Sequence, residues 1–387
     1  VIPFVGSFPL PGFGDFAGHV WLNTAHQGAL SLAAAEAARC AIAWKTMPFE
    51  LTQARFDDVP MRLRTALGRL VNAPADEIVL ANSASYGLHL IASAYPWSEG
   101  DEVLVTHGDF PSDILPWLLL ERRYGIKVVR IHPRGRVVEP DELRAAITPR
   151  TRVFCTTWVH SFSGFAVDFD ALGEICRERD VRFVLNGSQA LGARALDLSV
   201  APVDAFISVG FKWLCGPYGT GFAWLRPEFR RQLRPTKAYW LVMQTAEDLG
   251  KEVMEAELRE GLGARAYDVF GTANFFNFLP FATAIEQLIA LGLERIRDHD
   301  QALVGRFIEG IDRAFYTITS PYEPGPQRST LVFFSHNDRN KNRTIFEALT
   351  HARIHVAFRG GSMRLAPHLY NAKDDIDRTL NALHDLG

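Results

Sequence analysis

Lys212 stands in the stretch Ser208-Val-Gly-Phe-Lys-Trp-Leu-Cys-Gly-Pro-Tyr-Gly-Thr-Gly-Phe222, with Gly210 before it and Gly216, Gly219 and Gly221 after it. Backbone this bare lets a bulky ligand approach closely. Phe211 and Trp213 on either side surround the amine with apolar groups, which disfavour its charged form and lower its pKa. A neutral amine can attack a carbonyl and form a Schiff base. The competing reading is a surface lysine in a turn, and the Phe, Trp, Leu and Cys neighbours weigh against it.

Three other groups of residues could act with it. Asn82-Ser-Ala-Ser-Tyr-Gly87 places small residues and hydroxyls where a helix would open, a ready site for a phosphate. Taken alone, the same run reads more readily as a plain serine N-cap. In Thr106-His-Gly-Asp-Phe-Pro111 the Phe110 ring could lie flat on a heteroaromatic ring, a contact worth roughly 1 kcal/mol beyond burial. A core position is the commoner fate in a chain with 27 Phe. Asn186-Gly-Ser-Gln189 follows directly on the apolar Phe183-Val-Leu185, a costly placement for polar side chains unless they bind something. Asn-Gly is also an ordinary turn signal.

These groups need a scaffold that brings them to one edge, and the intervening sequence supplies one. Strand-like runs at Glu77–Ala81, Asp101–Val105, Lys127–Ile131, Arg152–Thr156 and Arg182–Leu185 alternate with helical patterns at 85–94, 112–124, 139–146 and 168–179. The alternation predicts an α/β fold with a largely parallel sheet covered on both faces. Ligands of such sheets sit at the carboxyl ends of the strands, where all four groups fall. Ala205–Val209 and Gly221–Leu225 flank the glycine-rich loop as a hairpin or ligand-facing turn. Beyond them the chain reads as a helix from Phe278 to Ile296, another through Ile311, a strand over Ser329–Phe334 and a last helix from Lys373. We therefore expect a large domain over 20–270 and a smaller α+β domain made of 1–19 and 271–387.

A chain of 387 residues, 48% hydrophobic and 22% charged, is long enough for two folding units around a large core. Its net charge of −3 offers no electrostatic reason to expect nucleic acid or an anionic membrane as partner, so a small molecule is the expected ligand. Cys40, Cys155, Cys176 and Cys215 are scattered without metal-ligand or redox spacing, so no metal is expected and a reducing cytoplasm fits. The apolar start, Val1 to Leu10, has two prolines and no basic flank, and no targeting segment is expected there.

Taken together these loops resemble the class V aminotransferases, fold-type I pyridoxal 5'-phosphate (PLP) enzymes that include cysteine desulfurases, isopenicillin N epimerase-like proteins and kynureninase. The likeness runs from Trp21-Leu-Asn-Thr-Ala-His-Gln-Gly28 to Arg364-Leu-Ala-Pro-His-Leu-Tyr-Asn371, with Asn186 and Lys212 26 positions apart. The resemblance implies a large PLP domain with a smaller C-terminal domain. It assigns Ala84 and Ser85 to the PLP phosphate, Phe110 to stacking on the pyridine ring, Gln189 to the ring's phenolic oxygen and Lys212 to the Schiff base. Thr272, in Gly271-Thr-Ala-Asn274, would reach the phosphate of a neighbouring subunit and imply a homodimer. Arg364 would hold the substrate carboxylate, a task suited to its planar fork. Asn23 and Ser161 match positions on the substrate side, and Arg359, His26, His160, Tyr239, Trp240 and His368 are further pocket candidates.

Departures from the family pattern narrow the chemistry. Asn186 stands where relatives usually have an Asp facing the ring nitrogen. A carboxylate at ~3 Å from a pyridinium is favourable by about 5 kcal/mol at an effective dielectric of ~20, so an amide is expected to make the cofactor a weaker electron sink. Val209 and Phe211 replace a Ser and a His often found near the phosphate. Arg359-Gly-Gly-Ser-Met363 holds no cysteine, although desulfurases of this family commonly have a persulfide-forming one there. The expected activity is work at the α/β carbons of an amino acid, as in an epimerase or a C–S lyase. Transamination and a PLP-binding module with little catalysis are the alternatives.

Overall fold

The computed structural model describes residues 12–234, 239–240, 251–252, 259 and 261–387. The first ten residues, expected to carry no targeting signal, lie outside them.

Seven strands form the main sheet: β2 (Ile78–Ala81), β3 (Glu102–Thr106), β4 (Lys127–Ile131), β5 (Thr151–Thr157), β6 (Arg182–Asn186), β7 (Ala205–Val209) and β8 (Gly221–Leu225). Their order is β2-β8-β7-β6-β5-β3-β4. All pairs are parallel except those made by β8, which runs antiparallel to both β7 and β2. β7 and β8 are therefore the expected hairpin, with the Lys212 loop as its connection. Because β2 must run parallel to β7, the carboxyl ends of β2, β3, β5, β6 and β7 all open on one edge.

The strands are apolar throughout because both faces are covered, and successive side chains go to opposite faces. Leu80, Leu104, Phe154, Phe183 and Phe206 enter one cluster with Leu63 and Leu67 from the helix Gln53–Leu70, Leu172 from Phe169–Glu178 and Ile285 from Phe275–Leu291. Val79, Val103, Val153, Val184 and Ile207, each one residue away, enter the other cluster with Leu88 and Ile91 from Ala84–Ala94 and Trp117 from Leu115–Tyr124. The result is the fold-type I architecture, a mostly parallel sheet between two helical layers.

A second sheet, β12-β13-β10-β9, is antiparallel and consists of β9 (Tyr316–Ile318), β10 (Val332–His336), β12 (Ala357–Arg359) and β13 (Ser362–Leu365). Val332, Phe334, Met363 and Leu365 point to one face and pack with Phe307, Leu349 and Ile376. Phe333, Ser335, Ser362 and Arg364 alternate with them on the other face, toward the main sheet's open edge. A short parallel pair, β1 (Val20–Trp21) with β11 (Ile354–His355), ties the start of the described chain to this unit. Phe13 and Phe16 rest on Tyr370, and Arg378 donates to the Gly18 carbonyl at 2.7 Å.

The boundary expected near Ile296 between two helices lies instead at Gly292: the helices are Phe275–Leu291 and Leu293–Gly310, meeting at 82°. Gly292 breaks them. Its φ of +85° lies in the left-handed region that terminates helices, and it took precedence over an apolar period that continues across the break. Among the described residues no single helix is long and apolar enough to cross a membrane.

Candidate active site

The open edge of the main sheet and the polar face of the small one enclose a cavity of about 570 Å³. Its wall includes Ala84, Ser85, Phe110, Ser161, Asn186, Gln189, Lys212 and Arg364, residues from six well-separated points of the sequence that the fold brings to one place. No Asp or Glu lines it among the described residues.

Lys212 is at the floor. Burial, with Arg364 and Arg359 nearby and the opposing charge of Asp113 only partly offsetting them, brings its amine down to about 8. Its Nζ lies 5.6 Å from the ring centre of Phe110 and 5.9 Å from that of Phe211. The bare backbone around it serves mainly the protein rather than a ligand. A side chain at Gly216 would strike Phe281, and one at Gly28 would sit 2.0 Å from the Lys212 carbonyl oxygen. Of the loop's glycines only Gly219 borders the cavity. Gly28 donates its N–H to the Phe211 carbonyl at 2.8 Å, so the Trp21–Gly28 segment is pressed onto the lysine loop.

A second support lies behind the loop. His368 donates from Nε2 to the Trp213 carbonyl at 3.0 Å, and its Nδ1 meets Asp300 at 2.8 Å. Burial works against the imidazolium, but the Asp300 carboxylate outweighs it and raises His368 to about 10. At that value His368 is an imidazolium at neutral pH and its Nε2 is the donor to the Trp213 carbonyl. His368 thus holds the loop from outside the cavity and does not line it.

At the opposite end, Ser83 is the N-cap of Ala84–Ala94, its hydroxyl accepting from Tyr86 N at 3.1 Å. The first helical N–H groups, those of Ala84 and Ser85, have no intrahelical acceptor and border the cavity. The N-cap and the anion cradle are therefore both present, one residue apart.

Asn186 ends β6 with a fixed orientation. Its Nδ2 donates to both oxygens of Asp113, at 2.9 and 3.1 Å, while its Oδ1 accepts from the Ser188 backbone N–H at 3.0 Å. A backbone N–H can only donate, so the amide cannot be the other way round. Asp113 is fully buried behind Asn186; burial and Asp109 push its pKa well above the ordinary carboxylate value, with Asn186, Ser112 and Lys212 only partly opposing. Sequence reasoning missed this carboxylate. An acidic residue in the connection that follows β3 was the available signal, since a charge there is costly unless it is used. Gln189 donates one Nε2 hydrogen to the Ala25 carbonyl and accepts the Trp213 indole N–H, both at 3.1 Å. Its other Nε2 hydrogen is uncommitted.

Arg364, on β13, is held loosely: Nη1 lies 3.4 Å from the Ser161 carbonyl, Nη2 lies 3.5 Å from Asn23 Oδ1, and Nε is buried without a partner. Asn23 stands behind Arg364 and not in the cavity wall. Burial and Arg359 both press against its charge, so an anion placed here would relieve a real cost. His26 also lines the cavity, with its pKa lowered by burial, Arg359, Arg364 and Lys212. Four candidates lie elsewhere. Thr272 is half-buried outside the cavity, His160 is bonded to Ser163 and the Gly108 carbonyl, Tyr239 accepts from Gly271 N at 2.9 Å, and Trp240 is exposed beside Tyr239.

Comparison with known proteins bears on the family and the fold. The sequence description of the family Aminotransferase class-V matches residues 51–378. A probable cysteine desulfurase of Xylella fastidiosa (strain 9a5c) is 28% identical over 65% of this chain and 59% of its own length. The isopenicillin N epimerase of Streptomyces clavuligerus is 27% identical over 94% of each chain. The solved complex between the cystine C–S lyase C-DES and its reaction product cysteine persulfide has the same fold, with a TM-score of 0.86 and 20% identity over 96% of this chain and 99% of that one. With the family description spanning most of the chain, from the second helix to the last, the chain belongs to the aminotransferase class-V family, enzymes that depend on pyridoxal phosphate.

Proposed function

We propose that this enzyme carries PLP on Lys212 and abstracts the α-proton of an amino acid, with epimerisation or loss of a β-substituent as the outcome. The observation that carries the proposal is the pairing, across one cavity, of a buried lysine near neutrality with a buried, unsatisfied arginine. The residues present fit the cofactor. The N–H groups of Ala84 and Ser85 would receive the phosphate, Phe110 would lie against the ring, Asn186 would face the ring nitrogen and Gln189 would reach the phenolic oxygen. When bound, PLP supplies an electron sink for the bond broken at the α-carbon.

The protein's own part is placement and proton transfer. Arg364 takes the substrate carboxylate, helped by Asn23 and Ser161, which fixes the α-carbon over Lys212. Released by the incoming amine, Lys212 accepts the α-proton on Nζ as a general base and can return it to carbon. Return from the opposite face requires a second acid, a part we assign to His26, the histidine that lines the cavity among the described residues. The 359–363 segment offers no thiolate, which supports elimination or epimerisation over persulfide formation on the protein. Transamination remains the second reading.

In the same reading the enzyme is a cytoplasmic homodimer whose Thr272 reaches the partner's phosphate, and the chain divides near Gly271. Incubation with a panel of amino acids in deuterated water tests the reaction. Deuterium is expected at the α-carbon of at least one, and none with any of them would refute the proposal.

A further inference from the structure

A second cavity, of about 440 Å³, adjoins the first and shares Phe162 and Arg359 with it. It lies on the polar face of the small sheet, beyond Arg364. Ser362 is two residues from Arg364 on β13 and so points to the same face, and its cross-strand partner is Arg359. The step from Arg364 to this pair is therefore about 7 Å along the strand.

The charge of this cavity is one-sided. Arg136, Arg339 and Arg359 all line it, and no Asp or Glu does. Among the described residues none of the three pairs with a carboxylate, whereas Arg297, Arg306 and Arg343 of the same unit all do. Ser335 and Thr319 add hydroxyls to the wall. His336 borders it as well, but its ring packs against Tyr316 and Phe315 and its Nε2 is buried. Three guanidiniums without a carboxylate partner around one concavity are what an anionic group would complete.

We propose that this cavity is the distal subsite of the active site and takes a second anionic group at the end of the substrate's side chain. The substrate class is then an amino acid with a terminal carboxylate or comparable oxyanion, its α-carboxylate on Arg364 and its distal anion among Arg359, Arg136 and Arg339. This rests on the reading of the main cavity as an amino-acid site.

Calorimetric titration of the PLP-loaded protein tests it, using 2-amino acids of about four to seven carbons with a terminal carboxylate, each beside its terminal amide. The longer acids should bind about tenfold or more tightly than their amides, the scale of a charge-assisted hydrogen bond. That ratio should fall toward one in the double variant Arg136→Gln/Arg339→Gln. Equal affinities for acid and amide, or a ratio unchanged in the double variant, would overturn the proposal. Deuterium exchange with neutral amino acids separates the two claims: exchange without acid preference removes the subsite alone, and acid preference without exchange removes the reaction alone.

Discussion

Lys212 is the residue on which the proposed chemistry depends, and its environment makes its behaviour measurable. Borohydride reduction of the loaded protein should fix the cofactor on Lys212, which peptide mapping would show, and Lys212→Ala should lose the near-visible band. In the cofactor-free protein, the folded-state value near 8 lies below the ordinary lysine value of 10.5. Below pH 8 the buried ammonium therefore destabilises the fold, and the penalty disappears as pH rises from about 8 through 10.5. Cofactor-free Lys212→Met should accordingly melt higher than the parent at pH 7 and match it near pH 10.5, as calorimetry would show.

Asn186 is the other residue whose meaning changed with its surroundings. An isolated amide facing the ring nitrogen would weaken the electron sink, but the amide here is oriented by a buried carboxylate. Asp113→Asn should lower the pH at which the cofactor's absorbance titrates, and Asn186→Asp should raise it. An absorbance profile insensitive to both would mean that neither group reaches the ring nitrogen.

At the scale of elements, the lysine loop is shaped from three directions. The β7–β8 hairpin carries it, Gly28 presses on it from the N-terminal segment, and His368 grips the Trp213 carbonyl from the C-terminal unit. An added methyl at Gly28 has no space beside the Lys212 carbonyl, and backbone cannot yield as a side-chain tip can. Gly28→Ala should displace the loop and weaken PLP retention about tenfold or more, measured by cofactor dissociation, while the far-UV circular dichroism stays unchanged. The strand and helix alternation from Ile78 to Leu225 was readable because burial on both faces leaves uninterrupted apolar runs between polar connections. The helix break was not, since Gly292 interrupts no apolar period and only its backbone conformation ends the first helix.

For the whole molecule, Thr272 lies outside the cavity of its own chain, so its role at a phosphate requires a second copy. The protein should sediment as a dimer, and Thr272→Asp should weaken PLP binding strongly by placing a negative charge near the partner's phosphate. A dimer that binds PLP equally well with that substitution would remove Thr272 from the site.

What the sequence by itself determined is the set of local facts: the succession of strands and helices along the chain, the helix opening at Ala84, the polar ends of strands, and a lysine among apolar neighbours. Each depends on residues adjacent in the chain, and the family likeness added their roles. Tertiary structure alone decided which distant residues meet. Asp113 reaches Asn186 across 73 positions and Asp300 reaches His368 across 68. Arg136 and Arg359 come to one cavity from different domains of the expected division. Charge pairing and cavity shape arise from packing between elements, and no local spacing records which buried carboxylate stands behind an amide or which arginines are left without one.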